Sequence, residues 1–357
     1  MPPLLSEVLS ILTSWQAIYT LSGLISLYWL SLGLKIRLLS YSKPRTAPLP
    51  PVSILSATHT LTGLRDFLQH LSRLSYPAEW EVVLVLNRLS DAEVAEAQKL
   101  IDLFSLPLKA VFIPEIPSGW SPKKYALWQG LSVSKYDWIV VLDADVRFSP
   151  TYLEKLMYHS GPSAEAVVGL GWLSGQGSSA AGFSAWEAAL IQVESVGRAA
   201  WGFPYMTTGR GWAVKKAWLR LGLYLWRGLL SGDDDLTLQL IPRHKVKASA
   251  AATLSDAPQS WAHLLRRKRR HLLTAPQYSW DLLLSLGLPI FVYGLLWGLC
   301  IKDMTLWGAV GLVWTARVIA IYLSRPPLPL RTVLWEPVLV SWQWLYPLLA
   351  VWKSPNW

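Results

Sequence analysis

Two carboxylates separated by one residue, Asp143-Ala144-Asp145, follow directly on the apolar run Trp138-Ile139-Val140-Val141-Leu142. A buried strand that delivers such a pair to its carboxyl end builds a metal and phosphate site. Splayed by the turn, Asp145 grips a divalent cation, Mg2+ or Mn2+, that bridges two phosphates, while Asp143 meets sugar or ribose hydroxyls and supports the metal. Short acidic pairs also occur in loops without chemistry, so the reading depends on the surrounding residues.

A sheet has to hold these carboxylates. Residues 52–57 read as a strand, 61–74 as a helix, 80–86 as a second strand, 92–104 as a second helix and 108–113 as a third strand. This α/β alternation favours a largely parallel sheet with its site at the carboxyl ends of the strands, where Asp143 and Asp145 fall.

Composition adds a membrane. The chain has 357 residues, only 16% of them charged, with 22 tryptophans and a formal net charge of +10, and its mean hydropathy is +0.29. The basic residues lie beside long apolar stretches, which points to anionic membrane lipids as partners and away from nucleic acid. Cys300 is the only cysteine, which excludes an intrachain disulfide or a cysteine metal site.

Residues 9–34 carry no charge and are long enough to cross about 30 Å of hydrocarbon. Without a basic start or a small-residue cleavage site they read as an anchor and not a signal peptide. Further apolar spans cover 282–301, 305–323 and 333–351. The expected organisation is an N-terminal anchor and linker over 1–47, a catalytic domain over 48–258, a basic interfacial helix over 259–278 and a transmembrane region over 279–357. The proline-rich stretch 45–51 reads as the join between anchor and domain. Lys35, Arg37, Lys43 and Arg45 follow the first span, the basic run 266–270 precedes the second, and Arg325 and Arg331 lie between the last two. By the positive-inside rule all three groups, and the domain between them, are cytosolic, as in a bacterial cytoplasmic membrane.

An ordered set of segments over most of the chain resembles the membrane-anchored family 2 glycosyltransferases. Ser121-Pro122-Lys123-Lys124-Tyr125-Ala126-Leu127 is similar to the family's G-K-x-x-A-L segment, and Asp143-Ala144-Asp145 stands at its D-x-D position. Gly202-Phe203-Pro204-Tyr205-Met206, leading into Gly209-Arg210-Gly211-Trp212-Ala213, resembles the stretch before its acceptor loop. Ser231-Gly232-Asp233-Asp234-Asp235-Leu236 stands at its acidic base motif, and Arg266-Arg267-Lys268-Arg269-Arg270-His271 at its Q-x-x-R-W segment.

The resemblance implies a Rossmann-like GT-A domain that moves a sugar, with inversion, from a nucleotide-diphosphate sugar to a lipid or lipid-linked glycan. It makes Asp234 the expected base, with Asp233 in the alternative register and Asp235 beside them. Lys123, Arg267, Arg270 and the cation at Asp145 would stabilise the leaving diphosphate, and Gly209, Arg210 and Gly211 would form the acceptor loop. The chain departs from the family at Ala57-Thr58-His59-Thr60, where an asparagine–glutamate pair is usual, and at Leu86-Asn87-Arg88, where an aspartate usually reads the base. Asn87, or Asp91 after a shift of the loop, is then the candidate base-edge contact. Arg267 and His271 replace glutamine and tryptophan, which argues against a processive polymer synthase. The alternative is a catalytically silent membrane scaffold of the same fold.

Blander readings stand beside these. Three consecutive aspartates also suit a helix N-terminus, and a basic run suits a headgroup patch. Trp261, Leu264, Leu265 and Leu272 fall at helical spacing, so this helix could rest its apolar side in lipid. Lys123 and Lys124 could be surface residues, and His244 and His271 surface groups or metal ligands. Arg317 and Glu336, both inside apolar spans, are either a salt bridge between helices or contacts to a lipid phosphate.

Overall fold

The computed structural model describes residues 15–41 and 48–351, the side chains of 344–351 excepted. Residues 9–14 of the expected first span, Lys43, Arg45 and part of the proline-rich linker lie outside them.

After the apolar helix α1 (Trp15–Leu39), strands and helices alternate: β1 (Val52–Thr58), α2 (Leu64–Ser72), β2 (Trp80–Asn87), α3 (Asp91–Asp102), β3 (Leu108–Ile113), α4 (Pro122–Val133) and β4 (Trp138–Val141). The expected elements are present, with ends moved by a few residues. β1 to β4 are mutually parallel, in the spatial order β3-β2-β1-β4. Val82, Val83, Leu84 and Val85 are all fully buried, as expected for a strand covered on both faces, and alternate between the two cores.

The sheet continues through β7 (Trp212–Lys215), β6 (Ala166–Ser174), β8 (Val246–Asp256) and β5 (Arg147–Phe148), with β7 antiparallel to β4. Helices α5 (Tyr152–Met157), α7 (Lys216–Leu225) and α8 (Asp235–Gln239) fill the connections. The long α6 (Ser179–Ala200) is alanine-rich and buried over most of its surface.

The anchor helix is not separate from the domain. α1 packs along α6 and the later helix α11 (Trp307–Leu323), close enough that a Cβ on Gly33 would come within 2.6 Å of the Ala320 backbone. A Cβ on Gly197 of α6 would meet Leu32 at 2.7 Å, so both glycines serve close helix contact. Within α1, Ser22 and Ser26 donate to the carbonyls of Ile18 and Ser22, which satisfies hydroxyls in an apolar helix.

Helix α9 (Trp261–Leu272) holds the basic run, followed by α10 (Trp280–Lys302), α11 and α12 (Glu336–Val351). Among the described residues three helical segments, Trp15–Leu39, Trp280–Lys302 and Met304–Leu323, are long and apolar enough to cross a membrane. The fourth expected span begins within a 3-10 turn and is described as far as Val351. Residues 330–335 form a 3-10 turn, and the helix that follows has 16 residues, about 24 Å at a rise of about 1.5 Å per residue. On the apolar side expected of α9, Leu264 is fully buried, Leu265 and Leu272 are half-buried, and the Trp261 ring packs on Phe183, Trp335 and Trp342 while staying 38% exposed.

Arg317 and Glu336 form a buried ion pair at 2.5 Å. The second Glu336 oxygen accepts from Trp186 Nε1 at 2.7 Å, and the guanidinium lies over the rings of Trp29 and Tyr293. The pair thus ties α11 and α12 to α1, α6 and α10, the salt-bridge reading of the two. Removing one partner strands a buried charge, so Glu336→Ala should cost about 3–5 kcal/mol. Thermal unfolding in detergent should also find Arg317→Met with Glu336→Leu less damaging than the sum of the single changes.

Candidate active site

Strand β4 places the first carboxylates. Its ladder runs one residue past the strand, with Leu142 N–H donating to Leu55 O at 3.1 Å, and is then diverted where Asp143 N–H donates to Gly209 O at 2.9 Å. Asp143 faces α4, while Asp145 lies on the following turn, open at its surface. Protein around Asp145 strips much of its hydration, and with the Asp143 charge this raises its pKa; Arg210 and Arg267 oppose the shift.

Lys123, in the first turn of α4, joins two parts of the sequence. Its Nζ is 2.9 Å from Asp143 Oδ1 and 3.0 Å from Asp233 Oδ2. Loss of hydration works against its charge, but the carboxylates more than offset that and raise its pKa. Gly209 lies over this contact, where a Cβ would sit 2.9 Å from Lys123 Nζ. Lys124 is not a surface residue. It is buried, donates to the carbonyls of Trp226 and Ser231 at 2.7 Å each, and is pushed by burial down to about 8.

The three aspartates lead into α8, with Asp234 as its N-cap and Asp235 as its first residue, but they are not solvated, and each has a different environment. Burial works against the Asp233 charge, yet Lys123 outweighs it and holds the pKa below the usual range. Asp235 accepts from Tyr278 OH at 2.5 Å, Thr274 Oγ1 at 3.1 Å and the Leu236 N–H, and burial leaves its pKa raised. Asp234 accepts from Gly209 N–H at 2.7 Å and from Asp235 N–H at 2.8 Å. With no cation bonded to it, burial and then the flanking Asp233 and Asp235 charges push it up to about 8. Thr274 and Tyr278 carried no signal in the sequence; they reach Asp235 from beyond α9.

Opposite the carboxylates stands positive charge. Arg210 is buried, and its Nε has no hydrogen-bond partner. Burial and then neighbouring Arg267 lower its pKa. Arg267 is lowered by burial and Arg270, against the pull of Asp143, Asp145 and Glu187. Arg270 is exposed, one turn on, and acts on this group through its field on Arg267. Crowded guanidinium groups with an orphaned buried donor suit a polyanion such as a diphosphate. Lys268 turns elsewhere, pairing with Glu187 at 2.6 Å.

Asn87 ends β2 on the same sheet edge. Its Nδ2 donates to Thr58 O at 3.1 Å, while its buried Oδ1 has no partner, leaving an acceptor for a donor on a nucleotide base. Gly211 is set by packing, since a Cβ there would meet Tyr152 OH at 2.3 Å.

Among the described residues no group of three or more His, Cys, Asp or Glu side chains could hold a metal alone. His244 and His271 are exposed and join no such group. Asp145 with Asp143 suits a cation that takes its remaining ligands from phosphate oxygens and water, since hard divalent cations are often held by one or two carboxylates plus substrate. The arrangement can hold a diphosphate between cation and arginines while Asp234 accepts a proton beside it.

The model for glycosyl transferase family 21 matches residues 16–219, a segment that includes α1, Lys123 and both carboxylates of the Asp143 turn. A mannosyltransferase, PcManGT from Pyrobaculum calidifontis, solved in complex with GDP-Man and Mn2+, shares the fold, with a TM-score of 0.56 at 14% identity, covering 95% of this chain and 100% of that one. Glucosyl-3-phosphoglycerate synthase from Mycobacterium tuberculosis, solved with Mn2+, UDP and glucosyl-3-phosphoglycerate, aligns at a TM-score of 0.40 and 13% identity over 67% of this chain and 82% of that one. No curated protein matches the chain in sequence. The matching family is 21, where the ordered segments resembled family 2; the GT-A fold and glycosyltransferase activity are common to both readings.

Proposed function

The chain belongs to glycosyl transferase family 21, and from that membership we propose an inverting transfer of a sugar from a nucleotide-diphosphate donor to a lipid or lipid-linked glycan at the cytoplasmic face of a membrane. The observation that carries this reading is the division of labour among the aspartates. Asp233 is committed to Lys123 and Asp235 to Tyr278 and Thr274, which leaves Asp234, held by backbone N–H groups and pushed up to about 8, as the one of the three without a side-chain partner. In the proposed step the acceptor hydroxyl oxygen attacks the anomeric carbon, its proton passes to Asp234, and the carbon–oxygen bond to the diphosphate breaks.

Arg210 and Arg267 take up the charge that develops on the leaving diphosphate, and Asn87 Oδ1 accepts from the base. Asp145 and Asp143 would hold a divalent cation, which would supply positive charge to the donor's phosphates. The GDP-Man and Mn2+ held by the mannosyltransferase of the same fold support such a donor and cation. Apolar helices beside the domain support the lipid acceptor, and Lys35, Arg37, Arg325 and Arg331 at their ends support the cytosolic orientation.

The pH profile tests the base. Asp234 must be ionised to accept a proton, so kcat/KM should climb about tenfold per unit below a midpoint near 8 and level off above it. A profile flat from about pH 6 to 9 removes Asp234 from the role.

A further inference from the structure

A cavity of about 310 Å³ lies at the foot of α10, against the loop that follows α6. It is separate from the carboxylate cleft: α8 begins at Asp235, and its far end, Leu238 and Gln239, forms part of the cavity wall.

Arg198 from the last turn of α6 and Arg243 from the turn after α8 line it, with Asp281 of α10 as the acid among the lining residues. Arg198 is pre-positioned. Its Nη2 donates to Ser285 Oγ at 3.0 Å, and its guanidinium lies over the Tyr205 ring at 5.1 Å. Glu194, one turn earlier, accepts from the Tyr28 hydroxyl at 3.1 Å and has the Arg198 charge beside it, so an anion here would add Arg243 to an arginine that already faces one carboxylate. Arg243 and Asp281 are exposed and approach only to 3.8 Å, a loose pair that an incoming anion can displace. Phe203, Leu238, Ile241 and Leu282 add apolar side chains to a lining that is mostly polar.

Beyond Ser285 the same face of α10 continues through Leu288, which is 62% exposed, and Val292. The cavity therefore joins two arginines to an apolar track along a helix long enough to cross a bilayer. Free phosphate would use the arginines and leave the track bare; a lipid uses both.

We propose that this cavity seats the phosphate headgroup of a membrane lipid, with Arg198 and Arg243 on the phosphate and an acyl chain along Leu288 and Val292. The site goes beyond the transferase reading and rests only on α10 lying in the membrane. It also adjoins the proposed base: Tyr278, immediately before α10, donates to Asp235, so a lipid that fixes α10 acts one short helix from Asp234.

Titration of the detergent-solubilised full chain with dioctanoyl phosphatidic acid, dioctanoyl phosphatidylcholine and inorganic phosphate tests this. Phosphatidic acid should bind saturably, at least about tenfold more tightly than either other probe. Arg243→Ala should weaken it at least about fivefold, and Arg198→Gln more, whereas Arg331→Ala, which removes the same charge at another exposed site, should leave it unchanged. Arg243 is exposed, so its replacement keeps the test valid if Arg198→Gln fails to fold. Equal binding of phosphatidylcholine, equal binding of inorganic phosphate, no change in Arg243→Ala, or the same loss in Arg331→Ala each overturns the proposal.

Discussion

Asp234→Asn should lower the rate of sugar transfer by about 10²–10⁴-fold, the range for removal of a positioned general base, while leaving donor affinity within a factor of about two. The separation of the two effects follows from the contacts. An asparagine oxygen can still accept from Gly209 N–H, so the loop that lies over Lys123 keeps its place. What is lost is the group that takes a proton. Asp233→Asn should behave differently: it removes half of the Lys123 clamp and leaves Asp143 as that ammonium's remaining ion-pair partner, so donor affinity should suffer as well as rate. Single-turnover transfer and equilibrium donor binding, measured on both variants, distinguish the two roles. Equal losses in both variants would mean that the aspartates act as one undivided cluster.

The second large effect belongs to Asp145→Ala. A metal that polarises phosphate oxygens is worth several kcal/mol in the transition state, so the variant should lose about 10²–10³-fold in rate. Its donor binding should no longer respond to Mn2+ or Mg2+. The direction of the Asp145 pKa adds a check on the ground state: a carboxylate raised by lost hydration and by Asp143 gains from a nearby cation, so in the native protein the metal should bind more weakly as the pH falls. Metal-dependent donor binding that survives the substitution would move the cation elsewhere.

The sequence displayed some parts of this molecule and concealed others for identifiable reasons. The centre of β2 and the whole of β4 were legible because strands covered on both faces are uninterrupted apolar runs, and the Asp143 turn was legible because it ends such a run. Helix α6 was silent: alanine-rich and buried nearly all round, it has no polar stripe to set a period. The contact of α1 with α6 depends on Gly33 and Gly197, single residues whose meaning lies in what approaches them.

The candidate site divides in the same way. That the acidic run carried a role followed from its neighbours in the order of segments, but three identical aspartates cannot be told apart by type. Lys123, the Gly209 amide and the Tyr278 hydroxyl, brought from distant points of the chain, set their proton affinities apart. Lys123 and Lys124 are likewise equivalent in sequence and opposite in place, because adjacent residues in a helix turn about 100° from one another. The contacts of Trp261 with Phe183, Trp335 and Trp342 were hidden because those rings come from distant points of the chain, which the helical spacing within α9 does not display.

The most direct measurement is nucleotide release by the detergent-purified protein from a panel of UDP-, GDP- and dTDP-sugars, with a lipid extract and Mn2+ or Mg2+, beside Asp145→Ala. Release from one donor class that requires both lipid and cation, and that disappears in the variant, is the predicted result. Silence across the panel together with no thermal shift on adding any nucleotide would contradict the account and leave a membrane scaffold of the same fold.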